Sequence, residues 1–381
     1  MQSTEEAVAA GATHTLRRRL GLGSATAIVV GEVIGVGIFL TPAGMARSLG
    51  SPFWLLAVWL AMAAITMAGA LCFGGLAARF PEAGGGYVYL REAFGPRVAF
   101  LFGWMSLLVT DPGLTALFAV GMAAGLKAAF GISPWGVKAF AVGAIAVLAA
   151  VNIAGLRRGA TLLRGLTALK LALLALIVVW GFGRGRGDWS NLVPLVARRP
   201  GSDPLAPALV GGLIAAFFSF GGWWDASKLA GEARDPGRTI PRALALGVGI
   251  VTAVYILISL AFLYLVPTDQ IDSDQAFAAL AGKALFGSAG GKVFALVVVA
   301  AVLGSLTAII MAAPRVYYAM ARDGLFPHAL AAVHPRFETP ARAITTRVSC
   351  GTSRCLFRPA SRSPRRLCHP LPISSPCSGR V

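Results

Sequence analysis

The chain has 381 residues, 56% of them hydrophobic and 13% charged, with a formal net charge of +18. That balance excludes an ordinary soluble domain, which carries about 25% charged residues, because the chain repeatedly runs about 20 residues almost free of charge, enough to cross a hydrocarbon core. The basic excess lies in short loops and builds no basic face on a soluble module, so it calls for no nucleic acid.

In chain order, eight spans are expected, at about 22–46, 52–78, 98–125, 135–154, 162–182, 206–229, 241–266 and 291–319. The first 20 residues, ending in "TLRRRL", are polar and basic. The apolar run after them is too long for a signal peptide and has no cleavage site, so 1–20 reads as a cytoplasmic tail. Spans 1–5 fall in 21–182, and spans 6–8 with a cytoplasmic loop fall in 183–345. The fold class is therefore an all-α, polytopic membrane helix bundle, with membrane lipid as its surroundings. With the N-terminus inside, the loops around 79–97, 155–164, 228–242 and 320–345 hold more Arg and Lys than those opposite. The positive-inside bias thus favours a cytoplasmic N-terminus in the plasma (inner) membrane.

Two spans contain their own breaks. Span 1 reads "VVGEVIGVGIFLTP", with Gly31, Gly35 and Gly37 and an acidic Glu32 where an apolar helix should be most regular. Span 6 reads "FFSFGGWWD", with Gly221 and Gly222. Glycines can serve close helix packing, and Gly31 with Gly35 has the small-xxx-small spacing. Breaks at matching places five spans apart point instead to a transporter site between two half-repeats, where unwound backbone offers N–H groups to a carboxylate and carbonyls to an ammonium group. Both ends of a free amino acid are matched by such a site.

The stretches "GEVIGVGIFLTPAGMARSLGSP", "GALCFGGLAARFPEAGGGYVYLREAFGP", "FFSFGGWWDASKLAGEARDPGRTIPRAL" and "MARDGLFPHALAAVHPRFETPARAI" resemble, in order, the amino-acid/polyamine/organocation (APC) superfamily of permeases, in its L-type amino-acid transporter branch. The resemblance runs from about residue 20 to 344. It implies a broken-helix core of five-plus-five inverted repeats and secondary active transport of amino acids, proton-coupled or by exchange and independent of sodium. It implies no enzyme activity and no cofactor, and leaves an accessory subunit open. By position, Val36, Gly37 and Ile38 would meet the substrate carboxylate through their amides, with Gly35 beside them in the substrate site. Phe218, Ser219 and Phe220 would frame the ammonium group with their carbonyls, with the Phe218 ring as gate and Gly221 beside them in the substrate site. Trp224, Asp225 and Glu32 depart from the branch pattern and bear on substrate choice.

Each ionisable residue within a span is weighed as functional or structural. Lys170 lies six residues past Arg164, about 9 Å at 1.5 Å per residue, within reach of snorkelling. The resemblance gives it instead a coupling role, its ammonium replacing the sodium ion that bridges spans 1 and 8 in sodium-coupled relatives. Glu32 is too deep to snorkel and must face a cavity, carry a proton or pair; it joins Lys170 as an ion-coupling candidate. Asp111, before Pro112, is expected to cap freed N–H groups, and Asp225 to pair with Lys228 at i, i+3. The loop "EARDPGRTIPRAL" reads as a solvated turn or an inner latch.

From about Thr345 the chain becomes rich in Arg, Ser, Pro and Cys, with no acidic residue and no apolar period, so 346–381 is expected to be a disordered tail. Its four cysteines and His369 match no zinc spacing, and Cys72 in span 2 is expected to pack as a small apolar residue. Because the resemblance stops there, spans 9 and 10 are expected to be absent, by truncation or a shifted reading frame. A non-transporting membrane protein with a structural or regulatory role is the alternative. No His, Cys or carboxylate cluster near a membrane face suggests an enzyme, and no polar filter suggests a channel.

Overall fold

The computed structural model describes residues 16–183, 185, 187–266 and 287–357. Span 1 is a bent pair, α1 (Leu22–Val33) and α2 (Gly37–Leu49), inclined at 48° across Ile34–Val36. Span 2 is α3 (Pro52–Arg79), followed by the short α4 (Gly86–Phe94). Span 3 joins α5 (Pro96–Met105) to α6 (Asp111–Phe130) through a wider π turn, Ser106–Thr110. Proline inside a helix removes one hydrogen bond and crowds the carbonyl four residues back. For Pro112 that carbonyl belongs to Leu108, inside the π turn, which supplies the room.

Spans 4 and 5 are α7 (Pro134–Ile153) and α8 (Leu156–Gly183). Span 6 consists of α9 (Leu205–Phe220) and, beyond Gly221–Gly222, a 3-10 stretch, Trp223–Glu232. Span 7 is α10 (Pro236–Leu265), and span 8 is α11 (Gly290–Ala312) continued by α12 (Pro314–Arg322). Proline opens α3, α5, α7, α10 and α12, where its missing N–H costs nothing.

Among the described residues, seven helices or continued helices are long and apolar enough to span a membrane, and the bent pair makes eight. The described chain is a multi-pass all-α membrane bundle. Spans 7 and 8 are its centre, with 50% and 61% of their apolar windows buried against 28% in spans 4, 5 and 6. α10 packs on α1 and α3, α11 on α6 and α8, and α9 on α2 and α3. Large apolar side chains such as Leu60, Leu71 and Val179 point outward, as lipid-facing positions should. Cys72 also lies on the exposed side of α3, which corrects the expectation that it packs inside.

A last helix, α13 (Ala341–Phe357), runs past the composition change at Thr345 and packs on α6 and α7. Its buried positions Ala343, Ile344, Arg347 and Gly351 follow helical spacing. The stripe escapes a hydropathy reading because one member is an arginine and another a glycine. Arg347 is fully covered; its Nη2 donates to the Thr115 hydroxyl at 2.8 Å, while Nε and Nη1 have no partner among the described residues. The remainder of the Arg/Ser/Pro/Cys segment, 358–381, with Cys368, His369 and Cys377, lies outside the described residues.

Candidate functional site: two broken helices and a buried lysine

Where α1 ends, the Ile34 amide still reaches Val30 O (3.1 Å) and the Gly35 amide turns back to Val33 O (2.8 Å). Helical pairing resumes with the Phe39 amide on Val36 O at 3.1 Å. The amides of Val36, Gly37 and Ile38 are left with no backbone acceptor among the described residues. Val36 and Gly37 are partly open while Ile38 is buried. Three successive donors at the start of α2, two of them partly open, form a ready anion cradle.

The second break lies directly against the first. A Cβ on Gly37 would stand 2.9 Å from Ser219 Cα, so only glycine admits this approach. Thr41 and Ser219 share a hydroxyl hydrogen bond of 3.0 Å. Tyr255 of α10 spans both breaks, its hydroxyl 2.7 Å from the Ser219 carbonyl and 3.0 Å from that of Val33. The Phe218 carbonyl takes the Gly221 amide at 3.3 Å, and the Phe220 carbonyl meets no backbone amide among the described residues. Each carbonyl retains a second lone pair for a ligand ammonium group.

Phe220 is buried against Trp59 and Tyr255. Phe218 is 75% exposed, so in this conformation its ring is not packed over the break. The structure therefore brings together Gly35–Ile38 and Ser219–Gly221 and leaves the Phe218 ring apart from them.

Below the first break, the fully buried Lys170 of α8 places its ammonium 2.8 Å from Gly31 O, 2.7 Å from Ile34 O and 2.8 Å from Ala301 O. All three of its donors are used, which sets aside snorkelling: the ammonium points into the bundle and ties span 5 to spans 1 and 8. The Ser305 hydroxyl of α11 lies 3.0 Å from one of these carbonyls, Gly31 O, and 2.9 Å from the adjacent Glu32 O.

Glu32 is 5% exposed and reaches across to the break in span 6. Gly222 there has φ +104°, and a Cβ on it would come within 2.7 Å of Glu32 Cγ. Conformation and space both require glycine at this position. Asp225, Lys228 and Asp111 are charged neighbours of Glu32, and Asp225 and Lys228 pair with each other at 2.8 Å while nearly fully buried. One Glu32 oxygen, Oε2, has no hydrogen-bond partner among the described residues. The Asp111 carboxylate accepts the Tyr317 hydroxyl from α12, a side-chain partner and not one of the amides freed by Pro112.

Tyr255, Ser305, Thr41 and Tyr317 were not evident from sequence. Their signal is a polar side chain inside an apolar span, weaker than a charge but of the same kind.

The sequence matches the amino acid permease family over residues 20–363. The chain is a member of the amino acid permease family. The match extends beyond Thr345, past the point where composition suggests the family resemblance stops. The serine/threonine exchanger SteT of Bacillus subtilis is 30% identical over 338 residues, 88% of this chain and 75% of that one. An uncharacterized transporter of Mycobacterium tuberculosis is 38% identical over 335 residues, 86% and 71% of the two chains. The human large neutral amino acids transporter small subunit 2 is 28% identical over 352 residues, 90% of this chain and 65% of its own. In fold, the chain is similar to a substrate-bound, outward-open Na+-coupled sialic acid symporter, with a TM-score of 0.65 at 13% identity over 89% of this chain and 73% of that one. The permease is thus an amino acid transporter of the multi-pass membrane class and not an enzyme.

Proposed function

We propose that this permease carries neutral α-amino acids by sodium-independent secondary transport, as a proton symporter or an exchanger. The observation that carries this reading is the Lys170 ammonium seated on Gly31, Ile34 and Ala301 carbonyls, which fills with a fixed cation the place between spans 1, 5 and 8 where a sodium ion would otherwise be needed. The substrate carboxylate binds the amides of Val36, Gly37 and Ile38, and its ammonium group binds the carbonyls of Phe218, Ser219 and Phe220. Gly35 and Gly221 keep the two turns open, and Phe218 swings over the occupied site as gate. Glu32, buried beside Asp225 and Lys228, is the second coupling group and takes and yields the coupling proton. The breaks in spans 1 and 6 correspond as members of two inverted repeats. The neutral class of substrate follows the relatives, an exchanger of serine and threonine and a large neutral amino acid transporter. An orientation with the N-terminus in the cytoplasm of a plasma (inner) membrane follows from loop charge.

Reconstituted vesicles test this directly. Labelled serine or leucine should enter in sodium-free buffer, faster with an inward acid gradient or with unlabelled amino acid inside. Uptake only with sodium, or no uptake of any amino acid, would refute the reading.

A further inference from the structure

Two adjoining cavities open where α8 begins, and arginine dominates both. One, of about 440 Å³, is lined by Arg17, Arg19, Arg158 and Arg336. The other, of about 310 Å³, takes Arg19, Arg164 and Arg234, and Arg157 lines both. Glu338 is the sole acidic residue lining either, and its two oxygens hold Arg17 and Arg19 at 3.0 and 2.9 Å. Among the described residues no carboxylate pairs with Arg157, Arg158, Arg164, Arg234 or Arg336. The surplus of positive charge surrounds the first turn of a 28-residue helix, whose free amides and dipole add to it.

The smaller cavity is a slot between two membrane helices. Gly21, Gly23 and Ser24 at the start of α1 form one wall, and the first turns of α8 form the other. Nothing lies within 4 Å of where a Cβ on Gly21 or Gly23 would be. Down the exposed face of α8, Arg157, Arg158, Thr161 and Arg164 give way to Gly165, Ala168, Leu169, Ala172 and Leu176. Charge above and apolar surface below, on one side of one span, match a phosphate headgroup with its acyl chain and not a free anion.

We propose that this slot is a binding site for an anionic phospholipid, its phosphate held by Arg157 and Arg164 and its acyl chain lying along α8. Basic pockets between spans are the usual seat of such headgroups. The site uses none of the transport residues, so it stands whether or not the transport reading does.

Native mass spectrometry of the full chain, titrated in detergent with phosphatidylglycerol, phosphatidylcholine or inorganic phosphate, tests it. Phosphatidylglycerol should bind more tightly than the other two. At about 1 kcal/mol per arginine near a membrane surface, roughly fivefold each, Arg157→Gln with Arg164→Gln should weaken its binding about 30-fold. Lysine at both positions keeps the charge and should largely keep the binding, and Arg322→Gln, outside both cavities, should change nothing. Equal binding of the two lipids would overturn the proposal. So would inorganic phosphate binding as tightly as phosphatidylglycerol, or a loss shared equally by the glutamine and lysine variants.

Discussion

Lys170 shows how much one side chain can settle. An amine buried at membrane depth is tolerated only with every donor satisfied, and the three carbonyls that receive it come from two different spans. Two of them, on Gly31 and Ile34, lie in the last turn of α1 and the break that follows it, where carbonyls lack helical partners. The break and the lysine thus complete each other. In Lys170→Met the aliphatic stem remains and three buried carbonyls lose the ammonium, although Ser305 still reaches Gly31 O; any group left unsatisfied costs about 1–3 kcal/mol. The expected result is a protein of lower thermal stability whose uptake falls by about tenfold or more, each factor of ten being 1.4 kcal/mol. Sodium should not restore it if the lysine also carries a proton through the cycle. Full uptake by the variant in sodium-free vesicles would leave Lys170 as a packing device alone.

Between elements, the central joint is Tyr255. Its ring packs between Trp59 and Phe220, which fixes the hydroxyl between the carbonyls of Val33 and Ser219. One helix of the bundle thereby sets the spacing of both breaks. Tyr255→Phe keeps the ring packing and removes only the hydroxyl, so stability should fall by about 1 kcal/mol. The larger effect should be on substrate: a higher KM with expression intact, because the amides of span 1 and the carbonyls of span 6 are no longer held in register. An unchanged KM would mean that the turns keep their geometry without the bridge.

The same joint marks how far sequence carries the reading. All eight spans were legible because apolar length is a local property, and both breaks because glycines concentrate there. The coupling candidates were legible because charge within a span stands out. Tyr255, Ser305 and Thr41 were not, since their partners lie far off in sequence and a lone hydroxyl in an apolar run has no pattern. α13 was missed for a related reason, its inward stripe being interrupted by Arg347 and Gly351, and the exposure of Phe218 depends on a conformation that no local pattern records.

At the scale of the molecule, the end of span 6 beyond its break is fastened to span 8 and to the segment before α1. Glu232 binds Arg315 of α12 through both carboxylate oxygens, at 2.6 and 3.2 Å, with both side chains 1% exposed. Its backbone carbonyl accepts the amides of Arg19 and Leu20 at 2.8 Å each, and Leu20 O takes the Arg234 amide in return. The segment before α1 is therefore tied to span 6, and Glu338 ties it again through Arg17 and Arg19. Nearby, Asp323 after α12 receives Arg91 at 2.7 Å and the Tyr87 hydroxyl at 2.8 Å from α4. Burial and that carboxylate both raise the phenol above its ordinary range and keep it a neutral donor. The loop that sequence left as either solvated turn or latch thus has a buried ion pair at its start. Removing one partner of a buried pair strands the other and costs about 3–5 kcal/mol, whereas the exposed pairs contribute far less. Arg315→Gln should therefore loosen this junction where Arg17→Gln does not. A cysteine at the buried Ser227 position reports on it: thiol labelling from the side of the N-terminus should be slow in the parent and in Arg17→Gln, and several-fold faster in Arg315→Gln. Equal labelling in all three would show that helix packing, and not this ion pair, keeps Ser227 covered.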